Sequence, residues 1–360
     1  MKKVFISDCE GPISKNDNAF ELTTHYVPHG DHLFTVVSKY DDVLADILKK
    51  PGYKAGNTLK LILPFLKAYG VTDRRMRLFS AKTLVLMPNV KETLKFVRKT
   101  AQAFIVSTSY EHYIKSLCHV IKFPYENTYC TRVKIDEHQL SQMEKERLRR
   151  LAEEIAGMPV IEIPHGAKSI KDFPEMYQRT IRRLDEIFWN EIPKMEIGKI
   201  LSEVNPVGGQ EKAEAVKCIT ERLGIRLADA VYVGDSITDV EAFKTVRRGG
   251  GLTIAFNGNE YAVREAEIAV MAEKTLVTAV LAEVFSRFGK KSVIELANAW
   301  NFNILKTLKI NTELKSRFLE AYGNRLPQVE VIKPENMERI IRESTVFRKN
   351  VRGEAVGKLG

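Results

Sequence analysis

Short apolar runs that end in small polar or acidic residues recur along the chain. Residues 3–7, 103–107, 230–233 and 252–256 are such runs, and their length and composition predict buried β-strands. Between them lie helical patterns such as residues 211–223, where apolar positions recur at helical spacing before a glycine. Alternation of strands and helices predicts an α/β fold with a parallel sheet covered on both faces. Ligands bind such sheets at the carboxyl ends of the strands.

Three long helical patterns interrupt or follow this alternation. Two of them separate strands and are therefore insertions, and the third, which follows the last predicted strand, is rich in charged residues and is expected to fray at its end. The predicted organisation is a core of residues 1–14, 88–140 and 200–285, a helical cap of 15–87, a helical insertion of 141–199 and a C-terminal helical extension of 286–360.

The composition, 44% hydrophobic and 28% charged, is that of a folded globular protein. Asp8 and Glu10 interrupt the first apolar run, which argues against a signal peptide, and no run of eighteen apolar residues predicts a membrane span. We therefore expect a cytoplasmic protein. The four cysteines lack metal-binding spacing, which predicts buried free thiols.

The net charge of +10 is concentrated near the C-terminus. Residues 286–360 hold fifteen Lys or Arg against eight Asp or Glu, a net +7. These basic residues alternate with Glu at helical spacing and form no recognition motif, so nucleic-acid binding is disfavoured. The 141–199 insertion or the basic C-terminal segment could instead bind a protein partner or a second copy of the chain.

Two carboxylates follow the first predicted strand, in the run VFISDCEGPI. Asp8 is placed as a potential nucleophile, and Glu10, two residues later, as a potential proton donor. Gly11 then allows a tight turn. Acidic residues also cap strand-to-loop turns, so this motif alone leaves both interpretations open.

A second pair of carboxylates follows a later strand, in VYVGDSITD. Asp235 comes directly after the strand and Asp239 lies four residues on, in the first turn of a predicted helix. Carboxylate oxygens at a strand end suit Mg²⁺. Helix capping is the alternative, and in isolation the simpler one.

Hydroxyls and a lysine mark two further helix starts. Ser107 and Thr108 end the strand FIVSTS, where unpaired backbone N–H groups of the next helix could bind an anion, although Ser and Thr are also ordinary N-caps. Lys212 lies in the first turn of a helix, where the helix dipole disfavours a cation. A bound phosphate would explain that placement, and a solvated surface lysine is the alternative.

The ordered set of motifs is more specific than any one of them. Asp-x-Glu after the first strand, Ser-Thr after the second, a lysine opening a helix and then Gly-Asp-x-x-x-Asp resemble the four motifs of the haloacid dehalogenase superfamily. The resemblance is closest to phosphoserine-phosphatase-like members and covers a Rossmann-like core. The run DCEGPISKNDNAFEL also resembles an archaeal group of predicted phosphatases that carry the name of subunit R of energy-converting hydrogenase A.

This resemblance implies a mechanism and a set of site residues. Asp8 would form an aspartyl-phosphate, Glu10 would act as acid and base, and Mg²⁺ would be the cofactor. The implied ligands of the metal are the carboxylates of Asp8 and Asp235 and the backbone carbonyl of Glu10. Those of the phosphate are Ser107, the Thr108 N–H, Lys212 and the turn at Gly11. Asp239 would support Lys212 or metal-bound water.

Glu10 departs from the family pattern, since these phosphatases usually have Asp at this position. A misplacement near one ångström can cost about a hundredfold in rate. Asp17, at the entry to the cap, resembles a carboxylate that contacts the substrate, with an ordinary polar loop residue as the alternative. Asn257 lies in LTIAFNGNEYA, which resembles the segment after the last motif, and is a second candidate for substrate binding.

The predicted function is therefore a magnesium-dependent phosphomonoesterase that acts on a small phosphorylated metabolite. The alternative is a weakly active or non-catalytic subunit with the same fold and a regulatory or assembly role in a larger complex. Glu10 and the additional helical segments are the features that favour this alternative.

Overall fold

A single seven-stranded sheet organises the protein in the computed structural model, which describes residues 3–357 and residue 359. Its strands are β1 (Lys3–Ser7), β2 (Ala101–Tyr110), β3 (Thr128–Thr131), β4 (Ala230–Gly234), β5 (Leu252–Phe256), β6 (Ile268–Met271) and β7 (Gln328–Val331). The strand order is β3-β2-β1-β4-β5-β6-β7, parallel except for β7, which pairs with β6 in the antiparallel direction. The predicted α/β fold is thus confirmed.

Helices cover both faces of this sheet because successive strand residues point to opposite sides. On β1, Phe5 packs into one hydrophobic cluster, whereas Val4 and Ile6 pack into the other. The helices are α1 (Asn18–Tyr26), α2 (Gly30–Asp42), α3 (Thr58–Leu61), α4 (Leu63–Ala68), α5 (Asp73–Thr83), α6 (Val90–Thr100), α7 (Glu111–Ile121), α8 (Gln142–Ala156), α9 (Glu175–Glu186), α10 (Ile200–Glu203), α11 (Gln210–Leu223), α12 (Val240–Arg248), α13 (Glu260–Glu265), α14 (Leu276–Asn298), α15 (Phe302–Thr307), α16 (Thr312–Tyr322), α17 (Met337–Arg352) and α18 (Glu354–Gly357).

None of the helices in the described part of the chain is both long and apolar enough to cross a membrane. The prediction of buried thiols is wrong for one cysteine. Cys218 is exposed on α11, whereas Cys9, Cys118 and Cys130 are buried.

The two predicted insertions pack against each other and share one hydrophobic core. Phe188 belongs to the second insertion, and Phe65 and Tyr40 belong to the first. The ring centroid of Phe188 lies 6.1 Å from that of Phe65 and 6.0 Å from that of Tyr40. The Tyr40 hydroxyl donates to Asp185 at 2.5 Å and accepts from the Trp189 indole N–H at 2.7 Å. The 141–199 insertion therefore reinforces the cap. Its use as a partner surface, like the predicted domain boundaries, stays a prediction.

The C-terminal segment is more closely integrated than the sequence indicated. It contains β7, which adds to the sheet, so the prediction of a purely helical extension is incomplete. Within the end that was expected to fray, the Arg352 side chain is 4% exposed and Leu359 is buried, whereas residues 353–355 are exposed. Fraying of this end stays a prediction. Apolar residues of α17 such as Ile340 anchor this segment in the core.

We expect Phe188→Ala to lower the free energy of unfolding by about 3 to 5 kcal/mol, because a fully buried ring at the contact between the two insertions is removed. Urea unfolding followed by circular dichroism measures this change. Met143→Ala is the control, since Met143 lies in the same insertion but is 80% exposed, and should change the value by less than about 0.5 kcal/mol. Equal losses in the two variants would show that the insertions do not depend on this contact.

Candidate functional site

The polar ends of β1, β2 and β4 meet at one edge of the sheet. These strands are neighbours and parallel, and the Asp8 N–H donates to the Val233 carbonyl at 2.8 Å, which places Asp8 beside the end of β4. A cavity of about 90 Å³ opens here beneath the cap. Asp8, Ser107, Thr108 and Asp235 line it, so the structure brings together residues predicted from three separate motifs.

Lys212 is the buried centre of the ion pairs at this edge. Its side chain is fully buried, and Nζ lies 2.7 Å from Asp8 Oδ2 and 2.7 Å from Asp239 Oδ1. Burial alone would lower the pKa of Lys212, but the carboxylates of Asp239 and Asp8 outweigh burial and raise the pKa above its ordinary value. The alternative of a solvated surface lysine is therefore wrong.

The two carboxylates that pair with Lys212 differ in the number of other hydrogen bonds that they accept. Asp239 also accepts hydrogen bonds from the Tyr232 hydroxyl at 2.7 Å and from the backbone N–H groups of Asp235 and Ser236 at 2.9 and 3.0 Å. Asp8 Oδ1 accepts only from the Cys9 N–H, at 2.6 Å, among the bonds in the described residues. Burial raises the pKa of Asp8 and the Lys212 ammonium opposes that rise. Asp239 thus positions Lys212 and the turn, while Asp8 faces the cavity.

Asp235 is paired with two arginines that the motif analysis did not identify. Arg348 Nη1 forms a close ion pair with Asp235 Oδ2, and Arg352 Nη1 lies 3.0 Å from the same oxygen. Both guanidinium groups come from α17 and are buried. A signal was present in the sequence, since Ile340, Ser344, Arg348 and Arg352 recur every four residues and share one helix face.

The acidic cluster fits a divalent cation. Ligand oxygens of Asp8, Asp235 and Asp239 all lie within 4.8 Å of one another, and hard carboxylate oxygens are the ligands that Mg²⁺ takes. Asp8 and Asp235 line the cavity, whereas Asp239 does not and accepts hydrogen bonds from Lys212, Tyr232 and two backbone N–H groups. The carboxylates of Asp8 and Asp235 are therefore the better candidates to hold the metal.

Gly11 allows the backbone to approach Asp235 closely. Its φ is +102°, and a Cβ at this position would overlap the Asp235 carboxylate. Its N–H donates to the Ser14 carbonyl at 2.7 Å. Gly11 therefore allows the turn to pack against Asp235, and its N–H is already bonded within that turn. Its predicted contact with the phosphate stays a prediction.

Glu10 and Asp17 line the same cavity and are tied to the start of the cap. Glu10 Oε1 accepts from the Asn18 N–H at 2.7 Å, and Asp17 Oδ1 caps α1 by accepting from the Phe20 N–H at 3.0 Å. Burial raises the pKa of Glu10 well above its usual range, and the negative charge of the nearby Asp17 adds to this rise. Burial raises the pKa of Asp17 as well. Asp17 is therefore the N-cap of α1, and its predicted contact with the substrate stays a prediction.

Of the remaining predicted residues, Ser107 and Thr108 line the cavity and Asn257 does not. Ser107 is buried on the cavity wall, where its hydroxyl donates to the Ser109 hydroxyl at 3.1 Å, and Thr108 Oγ1 is buried with no partner among the described residues. Asn257 does not line the cavity. Its side chain donates to the Ala272 carbonyl at 2.8 Å and accepts from the Ala272 N–H at 2.9 Å, so it holds two loops together.

Over residues 87–283, the chain matches a family model described as haloacid dehalogenase-like hydrolase. The matched part includes Ser107, Lys212 and Asp235, whereas Asp8 and Glu10 precede it. Among curated proteins, none matches the chain.

Solved structures extend the comparison to the whole chain. The structure of gene product AF1437 from Archaeoglobus fulgidus is 27% identical, with a TM-score of 0.80 over 100% of this chain and 99% of that one. Phosphoserine phosphatase in its apo form is 14% identical, with a TM-score of 0.42 over 80% of this chain and 99% of that one. The similarity to the archaeal protein shows that the appended segments belong to a shared fold. The narrower resemblance to the hydrogenase-subunit group stays a prediction.

We expect Gly11→Ala to destabilise the protein by about 3 kcal/mol or more, because it combines positive-φ strain with overlap of the Asp235 carboxylate. Gly52→Ala is the matched control: its φ is +72°, but the space around it is open, so strain alone should cost about 1 kcal/mol. Thermal unfolding of both variants tests this, and similar losses would contradict the close approach at Gly11.

Proposed function

Because the chain belongs to the haloacid dehalogenase-like hydrolase family, we propose that it is a magnesium-dependent phosphomonoesterase that acts on a small phosphorylated metabolite. The observation that carries this proposal is the Asp8–Lys212–Asp239 arrangement beside Asp235. It presents a carboxylate nucleophile, a fixed positive charge and a pair of metal ligands at the edge of one cavity, as phosphoryl transfer requires.

In the first step of the proposed reaction, an Asp8 carboxylate oxygen attacks the phosphorus. The bond to the ester oxygen breaks, and Glu10 donates a proton to the leaving alcohol. In the second step, water attacks the phosphorus of the aspartyl-phosphate, and its proton passes to Glu10. The bond to Asp8 breaks, which releases inorganic phosphate and restores both carboxyl groups.

Positive charge and hydrogen-bond donors assist both steps. Lys212, from behind Asp8, offsets the charge on the phosphate, and Ser107 and Thr108 line the cavity. Bound Mg²⁺, held by Asp8 and Asp235, would supply further positive charge next to the phosphate oxygens.

The position of Glu10 supports its role as acid and base despite its longer side chain. The Asn18 N–H holds its carboxyl group at the start of α1, so the additional methylene is accommodated by a fixed contact with the cap. Its raised pKa favours the protonated form that the first step needs. These two features support Glu10 as the acid and base at a position where Asp is usual.

We expect Asp8→Asn to lower kcat by about a thousandfold or more, since the nucleophile is lost. Glu10→Gln should lower kcat by about a hundredfold or more, since no proton reaches the leaving group. A panel of phosphomonoesters with magnesium, read by phosphate release, measures both. Asp31→Asn, an exposed carboxylate on α2, is the control and should leave kcat unchanged. Wild-type protein without turnover on any phosphomonoester would favour the non-catalytic alternative.

Removal of divalent cations with a chelator should abolish turnover, and added Mg²⁺ should restore it, because the positive charge that the metal would supply next to the phosphate oxygens is lost. Titration of Mg²⁺ into chelated, dialysed protein measures this requirement. Full turnover in the chelated sample would contradict the proposed metal site.

A further inference from the structure

The placement of α17 against the sheet directs two guanidinium groups into the cavity. Ile340 is buried in the core, and the Ser344 hydroxyl donates to the Gly258 carbonyl at 2.6 Å, so the helix is fixed along one face. Arg348 and Arg352 continue that face at the same spacing. Arg352 Nε also donates to the Lys15 carbonyl at 3.1 Å, which joins the helix to the segment that enters the cap.

More carboxylates than basic side chains line the cavity. Its carboxylates are Asp8, Glu10, Asp17, Asp41, Asp42 and Asp235. Among the described residues, the basic side chains that line it are Arg348 and Arg352. Lys212 lies behind Asp8, outside this lining. An anion that enters the cavity therefore meets these two guanidinium groups as the positive charges on its walls.

The ion pairs at the sheet edge are equal in number of charges. Asp8, Asp235 and Asp239 carry three negative charges, and Lys212, Arg348 and Arg352 carry three positive ones. Glu10 and Asp17 add further carboxyl groups to the same cavity. A phosphate dianion would add two more negative charges, which is costly in a buried site unless positive charges such as the two arginines and a divalent cation offset them.

Two of the residues that line the cavity, Thr108 and Arg348, each hold a polar atom without a hydrogen-bond partner. Arg348 Nε and Thr108 Oγ1 are buried and have no hydrogen-bond partner among the described residues. A buried polar atom without a partner costs free energy, and the Arg348 Nε–H can only donate. An oxygen of a bound anion would satisfy this donor, and the Thr108 hydroxyl can donate as well.

We propose that Arg348 and Arg352 are substrate-binding residues. They pair with Asp235 while no metal is bound, and bind the oxygens of a phosphate dianion once a divalent cation occupies Asp8 and Asp235. This inference rests on the proposed function and adds to it that the C-terminal segment supplies the anion-recognition side chains. The metal and the arginines compete for Asp235, whereas the metal and the phosphate support each other.

Binding measurements on the full chain test this inference without turnover. Isothermal titration with Mn²⁺, and with inorganic phosphate in the presence of saturating Mn²⁺, gives the two affinities. For Arg348→Gln and Arg352→Gln we expect opposite changes. Mn²⁺ should bind about tenfold more tightly, because a competing charge has left Asp235. Inorganic phosphate should bind about tenfold or more weakly, because a charge-assisted hydrogen bond is lost.

Arg342→Gln is the matched control, because it removes the same charge from an exposed position on the same helix. It should change neither affinity. Arg348→Lys keeps the charge but loses the planar donor group, and should weaken phosphate binding while leaving Mn²⁺ affinity close to that of the wild type. Arg348→Lys and Arg352→Gln keep the test available if Arg348→Gln does not fold, and thermal unfolding of each variant establishes that it is folded.

Each other outcome overturns the inference. Tighter Mn²⁺ binding with unchanged phosphate binding would show that the arginines only neutralise Asp235. Weaker binding of both probes would show a structural role, and no change in either would exclude both arginines from the site. The proposed function is tested separately by Asp8→Asn, so loss of turnover there with unchanged phosphate binding in the arginine variants would leave the phosphatase proposal intact and remove this one.

Discussion

Burial of several charges at one edge of the sheet is the constraint on which the rest of the site depends. Lys212 is fully buried between Asp8 and Asp239, at 2.7 Å from an oxygen of each. Such a cluster is tolerated only when every charge has a partner, because removal of one partner leaves an uncompensated buried charge. The hydroxyl of Tyr232 and the backbone bonds to Asp239 complete this requirement.

This constraint links segments that are far apart in the chain. Asp8 follows β1, Lys212 lies in α11, and Asp235 and Asp239 lie in the turn after β4. The parallel order of neighbouring strands brings these ends to one edge. The cap then closes over them, and its position depends on the hydrophobic core that the two insertions share. The start of α1 meets the site directly, where the Asn18 N–H holds Glu10.

The C-terminal segment changes how the basic charge of the protein is understood. The excess of basic residues after Ser286 is not only a solvated surface, because two of its arginines are buried against Asp235. β7 and α17 pack into the core and fix the backbone from which these side chains extend. A segment that resembles an appendage in the sequence is therefore part of the site.

Spacing identified the side chains that follow strand ends, because strand geometry projects them to a known edge. Asp8 and Asp235 belong to this group, whereas Ser107 lies inside β2, which continues to Tyr110 instead of ending at residue 107 as predicted. Spacing did not identify the side chains whose position depends on packing between distant segments. Arg348 and Arg352 are such side chains. Spacing also did not predict that Asn257 bonds to a neighbouring loop or that the Gly11 N–H bonds to Ser14.

The sequence by itself determined the α/β fold, four of the strands and the set of motifs at the strand ends. These follow from local periodicity and from the rule that parallel strands share one carboxyl edge. Only the tertiary structure decided that the two insertions form one cap, that β7 joins the sheet and that α17 delivers two arginines to Asp235. The cap and the arginine pairs depend on contacts between residues more than a hundred positions apart, and β7 pairs with a strand about sixty positions earlier. No local pattern encodes which partner a buried charge or an apolar face will meet.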